Sequence, residues 1–151
     1  MRSRVKGKAQ DKVVNILLVE DHLPDIVLTK KAFERGNYKS KLHIVRDGEE
    51  AMKFLRKEGG YEDRVRPDLI LLDINLPKVS GYEVLEHIKK DENLMTIPVI
   101  MLTSSEAEQD ISKSYSLYAN SYLVKPDSLS KFVEMINKLE GFWFKLVKLH
   151  K

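Results

Sequence analysis

The chain has 151 residues, 42% hydrophobic and 32% charged, and no cysteine. That is the size and mix of one globular domain, and it excludes a disulfide scaffold, a cysteine nucleophile and thiolate-bound zinc or iron–sulfur centres. The net charge of +3 comes from residues 1–12, where Arg2, Arg4, Lys6, Lys8 and Lys12 against Asp11 hold +4; the rest carries −1, unlike the basic body of a nucleic-acid binder.

Residues 1–12 form a basic tail, read as a solvated terminus or as a contact for phosphates. The tail lacks the apolar stretch of a secretory signal, and no run in the chain is long enough to span a membrane. The first apolar run, Val13–Val19, ends in Glu20-Asp21. Pro24 and Asp25 suit the first turn of a helix, and Gly36 its stop. Leu42–Val45 is the second run; after Gly48, an apolar stripe of Ala51, Met52, Phe54 and Leu55 predicts a helix. The third run, Leu69–Leu72, ends in Asp73, and Val84, Leu85 and Ile88 mark a helix after Gly81. Ile97–Leu102 is the fourth run and ends in Thr103; Ile111, Tyr115 and Tyr118 give a weaker helical stripe. Tyr122–Val124 is the fifth run and leads into Lys125-Pro126. Leu129, Phe132, Val133 and Ile136 recur at i, i+3, i+4 and i+7, the pattern of a helix with one buried face.

Short, nearly continuous apolar runs joined by amphipathic stretches predict an α/β fold of (βα)₅ type. The sheet would be doubly wound, parallel and five-stranded, covered on both faces. The domain is placed at residues 13–140 and an aromatic and basic extension of the last helix at 141–151. In the extension, Trp143, Leu146 and Val147 keep the period of the preceding stripe. Together with Phe142, Phe144 and Leu149 they are read either as folding back on the core or as a dimer or partner contact.

Open parallel sheets bind ligands at the carboxyl ends of their strands. Here those ends gather Glu20, Asp21, Asp73, Thr103-Ser104-Ser105 and Lys125. Three carboxylates in one crevice repel unless one is protonated or a cation sits among them. All-oxygen ligation points to Mg²⁺, and a lysine beside it makes sense where the missing ligand is a phosphoryl group. A threonine hydroxyl can donate to a phosphoryl oxygen. Asp73, short and at the end of a buried run, suits in-line attack, with Glu20 and Asp21 as metal positioners. His22, His43, His87 and His150 show no metal-ligand spacing; His22 is read as a loop residue beside the acidic pair. No glycine-rich phosphate loop follows a strand.

The set Glu20-Asp21, Asp73, Thr103 and Lys125-Pro126, carried on ILLVED, PDLILLDINLP, IPVIMLTSS and NSYLVKP, resembles the CheY-like receiver domain of two-component response regulators. The connection EGGYEDRVRP (residues 58–67) and the Phe142-Trp143 ending are similar to stand-alone receivers paired with phytochrome-type sensor histidine kinases. The resemblance implies a flavodoxin-like strand order of 2-1-3-4-5. It implies Asp73 as phosphoacceptor from a sensor kinase or phosphotransfer protein, with Mg²⁺ held directly by Asp21 and Asp73, by Glu20 through water, and by the Asn75 carbonyl. Lys125 would pair with Asp73 at rest and with a phosphoryl oxygen afterwards. Thr103 would bond the phosphoryl group, Tyr122 would turn inward as Thr103 moves, and Lys125-Pro126 would be a cis bond. Output would leave through docking or homodimerisation on the fourth helix, fifth strand and fifth helix, including Tyr115, Tyr118, Tyr122 and the Phe142–Leu149 extension.

The expected protein is a cytoplasmic phosphorelay switch, not an enzyme beyond its own phosphoryl transfer and autodephosphorylation, with no DNA binding. Only 26 residues follow Lys125, too few for a separate output domain. Two other readings fit parts of the pattern. A Mg²⁺-dependent phosphohydrolase would use the same carboxylates, but Asn75 stands where a second acid is needed. A phosphorylation-independent binding module would leave the intact site without a purpose.

Overall fold

The structure, a computed structural model, describes residues 13–103 and 121–144. In chain order it runs β1 (Val14–Val19), α1 (Leu23–Glu34), β2 (Ser40–Val45), α2 (Gly48–Arg56), β3 (Leu69–Asp73), α3 (Gly81–Lys90), β4 (Val99–Thr103), β5 (Ser121–Val124) and α4 (Leu129–Leu139), followed by a π-helical turn, Glu140–Phe144. The strands form one sheet, ordered β2-β1-β3-β4-β5, and every neighbouring pair is parallel. The predicted order and class are those observed. The basic tail, Ser104, Ser105, the predicted helix at Ile111, Tyr115 and Tyr118, and Leu146, Val147 and Leu149 lie outside the described residues.

The near-continuous apolar runs are explained by the two buried faces. All five residues of β3 and of β4 are buried. Alternate residues serve opposite sides of the sheet, as the period of a strand requires. Leu17, Val19, Ile70, Leu72 and Met101 pack with Ala51, Phe54, Val84 and Ile88 of α2 and α3. Ile16, Leu18, Leu69, Leu71 and Ile100 pack with Ile26, Phe33, Phe132 and Ile136 of α1 and α4.

Caps set where the helices begin. The Asp47 carboxylate accepts from the Glu50 N–H at 2.8 Å to start α2. At α3, Ser80 Oγ accepts from the Glu83 N–H at 3.3 Å, and the Glu83 carboxylate accepts from the Ser80 N–H at 3.2 Å, a reciprocal capping box. Pro24 stands in the first turn of α1, where a missing N–H does no harm.

The strands start and end within two residues of the apolar runs, and two departures from the sequence reading have a physical cause. β4 begins at Val99, after the expected Ile97-Pro98. Proline has no N–H for the ladder, and only the Pro98 carbonyl takes part, accepting from the Ile70 N–H at 3.0 Å. After α4, Trp143 packs against the core as its spacing predicts, but the pitch there is not α-helical. The π-helical turn inserts an extra residue per turn, so that Phe144 takes the inward position. Phe144 is fully buried, stacked on Phe33 at 6.2 Å and edge-on to Tyr38 at 5.4 Å. This part of the extension folds back on its own core. Trp143 is partly buried, and Phe142 is 60% exposed.

Candidate functional site

The parallel register brings the strand ends level. Val19 pairs with Leu72, Asp73 with Leu102 and Thr103 with Val124. Glu20, Asp73, Thr103 and Lys125 therefore meet along one edge of the sheet, although more than a hundred residues separate the first from the last. Backbone bonds continue this edge past the strands: the Glu20 N–H donates to the Val45 carbonyl at 3.0 Å, Ile74 to Leu102 at 3.1 Å and Lys125 to Thr103 at 2.8 Å.

Glu20, Asp73 and Thr103 are buried. Lys125 reaches over them from β5. Its Nζ lies 3.2 Å from Glu20 Oε1, 3.5 Å from Asp73 Oδ1 and 2.9 Å from Asp25 Oδ2. Burial raises the Glu20 pKa from its ordinary 4.5 to about 7, helped by the negative charge of Asp73 and a hydrogen bond with it. The Lys125 ammonium and the His22 N–H pull the other way, and do not prevail. Burial opposes the charge on Lys125, but a hydrogen bond to Asp25 and the charges of Asp73, Glu20 and Asp25 together raise its pKa. The site is thus short of positive charge even with an ammonium inside it.

Asp25 was missed as a site residue. In the sequence it reads only as an acidic residue suited to a helix start. The signal available was its place in the first turn of the helix that follows the Glu20-Asp21 loop, which sets that turn beside the strand ends. Its carboxylate also meets His22 Nδ1 at 3.0 Å.

The remaining predicted residues take outer positions. Asp21 is exposed, and its carbonyl accepts from the Arg46 guanidinium at 2.9 Å. Asn75 is exposed in the loop after Asp73. Tyr122 is half-buried and packs against the α2–α3 side of the core. The expected cis bond at Lys125-Pro126 is corrected: the described residues contain no cis peptide bond. A trans X–Pro bond is the lower-energy isomer, and Lys125 reaches all three carboxylates with it in place.

Among the described residues, no three carboxylate or histidine side chains are gathered closely enough to hold a metal ion. The donor chemistry nevertheless suits a hard divalent cation: the acidic groups offer oxygen only, and the Glu20 carboxyl is pushed towards protonation where a cation would keep it ionised. Lys125 supplies the positive charge in this arrangement.

Comparison with known proteins agrees with this architecture. The family model for the response regulator receiver domain matches residues 16–137. Response regulator Rcp1 of Synechocystis sp. is 45% identical over 134 residues, covering 89% of this chain and 91% of that protein. A relative from Methanothrix harundinacea, named Probable methanogenesis regulatory protein FilR2, is 41% identical, covering 90% of this chain and 86% of its own length. Among solved structures, the phosphorylated cyanobacterial phytochrome response regulator RcpA superposes with a TM-score of 0.83 at 44% identity, over 89% of this chain and 96% of that one. The Mn²⁺-bound form of Rcp1 gives 0.79 at 45% identity, over 86% and 94%. No helix among the described residues is long and apolar enough to cross a membrane. With the strand order and the match over most of its length in agreement, the chain belongs to the response regulator receiver family.

Proposed function

We propose that Asp73 is the phosphoacceptor of a two-component phosphorelay and that the domain signals by switching conformation when it carries the phosphoryl group. The observation that supports this most is the placement of Asp73: buried at the end of the central strand, 3.5 Å from the Lys125 ammonium, with Thr103 ending the neighbouring strand. A side chain held this way has little freedom to lose before in-line attack. An Asp73 carboxylate oxygen would attack the phosphorus of a phosphohistidine. The phosphorus–nitrogen bond would break with its electron pair retained by the imidazole, leaving an acyl phosphate on Asp73. Lys125 would hold one phosphoryl oxygen by charge, and the Thr103 hydroxyl would donate to another.

Glu20, Asp21, Asp73 and the Asn75 carbonyl would hold a divalent cation, Mg²⁺ in this reading; the Mn²⁺-bound Rcp1 structure supports the class of ion. When bound, it supplies charge that neutralises the transferring phosphoryl group. The chain's own chemistry would be limited to taking and losing this group, which separates it from a phosphohydrolase acting on free esters. A sensor histidine kinase or phosphotransfer protein would be the donor, with contact in the cytoplasm. RcpA is a phytochrome response regulator, whereas the Methanothrix relative is named for methanogenesis; the likeness supports a kinase partner more strongly than a light-sensing one.

The test is intact mass after incubation with Mg²⁺ and acetyl phosphate. One phosphoryl adduct is expected, dependent on Mg²⁺ and lost in Asp73→Asn. An adduct that persists in Asp73→Asn would move the acceptor elsewhere. Repeated turnover of the ester without an adduct would favour the hydrolase.

A further inference from the structure

Lys125 is shared among three carboxylates, and its closest partner is the one the receiver-like pattern does not include. We propose that Asp25 is a positioning residue that holds the Lys125 ammonium in the unphosphorylated protein and competes with the phosphoryl group for it. The inference rests on the reading of Asp73 as phosphoacceptor.

An ammonium has three N–H donors. Here they face Asp25 at 2.9 Å, Glu20 at 3.2 Å and Asp73 at 3.5 Å. A phosphoryl oxygen on Asp73 needs a donor from the same group. The contact with Asp73 is the longest of the three, so an ammonium that closes on a phosphoryl oxygen there moves away from its two shorter partners. Glu20 belongs to the set that would hold the proposed cation. Asp25 does not: it stands on α1, and its backbone carbonyl accepts from Thr29 Oγ1 at 2.6 Å. Its carboxylate is further fixed by His22 Nδ1 at 3.0 Å, and its side chain is only 15% exposed, as is that of Lys125. A held, partly desolvated carboxylate is a stronger competitor than a mobile surface one. Asp25 therefore sets a threshold. The phosphoryl group gains Lys125 only by drawing it off α1.

Beryllofluoride, which adds to an aspartate as a phosphoryl mimic, provides the measurement. It is titrated with saturating Mg²⁺ and followed by ¹⁹F NMR in the wild type, Asp25→Asn, Lys125→Gln and the double variant. Asp25→Asn should bind beryllofluoride about five- to tenfold more tightly, the scale of a partly screened ion pair. In the Lys125→Gln background the same change should have no effect. Asp25→Ser, which also suits a helix's first turn, should repeat the gain. Unchanged affinity in Asp25→Asn overturns the proposal. An equal gain without the lysine also overturns it, since that would be simple charge repulsion by Asp25. Should Lys125→Gln abolish binding, the resting-state Lys125 Cε resonance decides: it must move in Asp25→Asn, and a fixed resonance overturns the proposal. No beryllofluoride uptake by the wild type would overturn the phosphoacceptor reading itself, and this inference with it.

Discussion

Glu20 closes β1 with 1% of its surface exposed, and its pKa is raised to about 7 by burial and by Asp73. A carboxyl whose folded pKa lies above its unfolded value stabilises the fold most when protonated. Its contribution is full below about pH 4.5 and is lost as pH rises through about 7. His43 acts in the opposite sense. Burial lowers its pKa, so its contribution is present above its ordinary value of 6.5 and is lost as pH falls below it. Comparison with Glu20→Gln separates the two. Without divalent cation, Glu20→Gln should be the more stable protein at pH 8 and lose its advantage at pH 4.5. Added Mg²⁺ should raise the melting temperature at pH 8 more in the wild type than in the variant, since only in the wild type does the ion also relieve the Glu20 charge. Thermal unfolding at the two pH values, with and without Mg²⁺, checks both. Equal stability of the two proteins at pH 8 would deny that the carboxyl is strained. At this scale Glu20, Asp73, Thr103 and Lys125 were legible in the sequence, because each ends a strand and parallel strands end together. Asp25 was not, because its contact joins the first turn of α1 to a side chain crossing from β5, and no local pattern encodes that meeting.

The elements around Asp73 are set by a close backbone approach. A side-chain carbon at Gly81 would collide with the Asp73 carbonyl oxygen and lie 2.8 Å from the Ile74 Cα. Both are backbone atoms that cannot rotate away, so the first residue of α3 must be glycine for the helix to seat against the end of β3. Gly81→Ala should destabilise the domain by about 1–3 kcal/mol, the usual effect of overpacking. It should also slow phosphorylation by displacing Asp73. Urea unfolding and the rate of adduct formation with acetyl phosphate measure the two effects, and an unaltered rate would show that Asp73 is insulated from α3. The helices themselves were readable from their stripes and caps. The π-helical turn was not: an α-helical period extrapolated past Leu139 places Trp143 inside, and nothing in the residues EGFWF signals the change of pitch.

At the scale of the molecule, the sheet separates two cores, and the π-helical turn closes one of them. Phe144 fills the space between Phe33 and Tyr38, whereas Phe142 is 60% exposed beside Leu123, Met135, Leu139 and Trp143, which line a cavity of about 140 Å³. Phe144→Ala should lose about 3 kcal/mol of stability, as for other buried phenylalanines. Phe142→Ala should stay within about 0.5 kcal/mol, as for exposed positions. Urea unfolding orders them, and a larger loss for Phe142 would contradict the register of the turn.

The two flanks of Asp73 differ in stiffness. On one side Gly81 abuts the Asp73 carbonyl, the Ser80–Glu83 box fixes the start of α3, and Lys78, in the left-handed region at φ 67°, reaches Asp47 and Glu49 at 3.6 Å each. On the other side lies β5, a four-residue edge strand with no residue fully buried. Force applied at the carboxylate meets an anvil towards α3 and a spring towards β5. In the proposed switch, a charge arriving on Asp73 would therefore do its work against β5, the strand that carries Tyr122 and leads into Lys125, sooner than against α3.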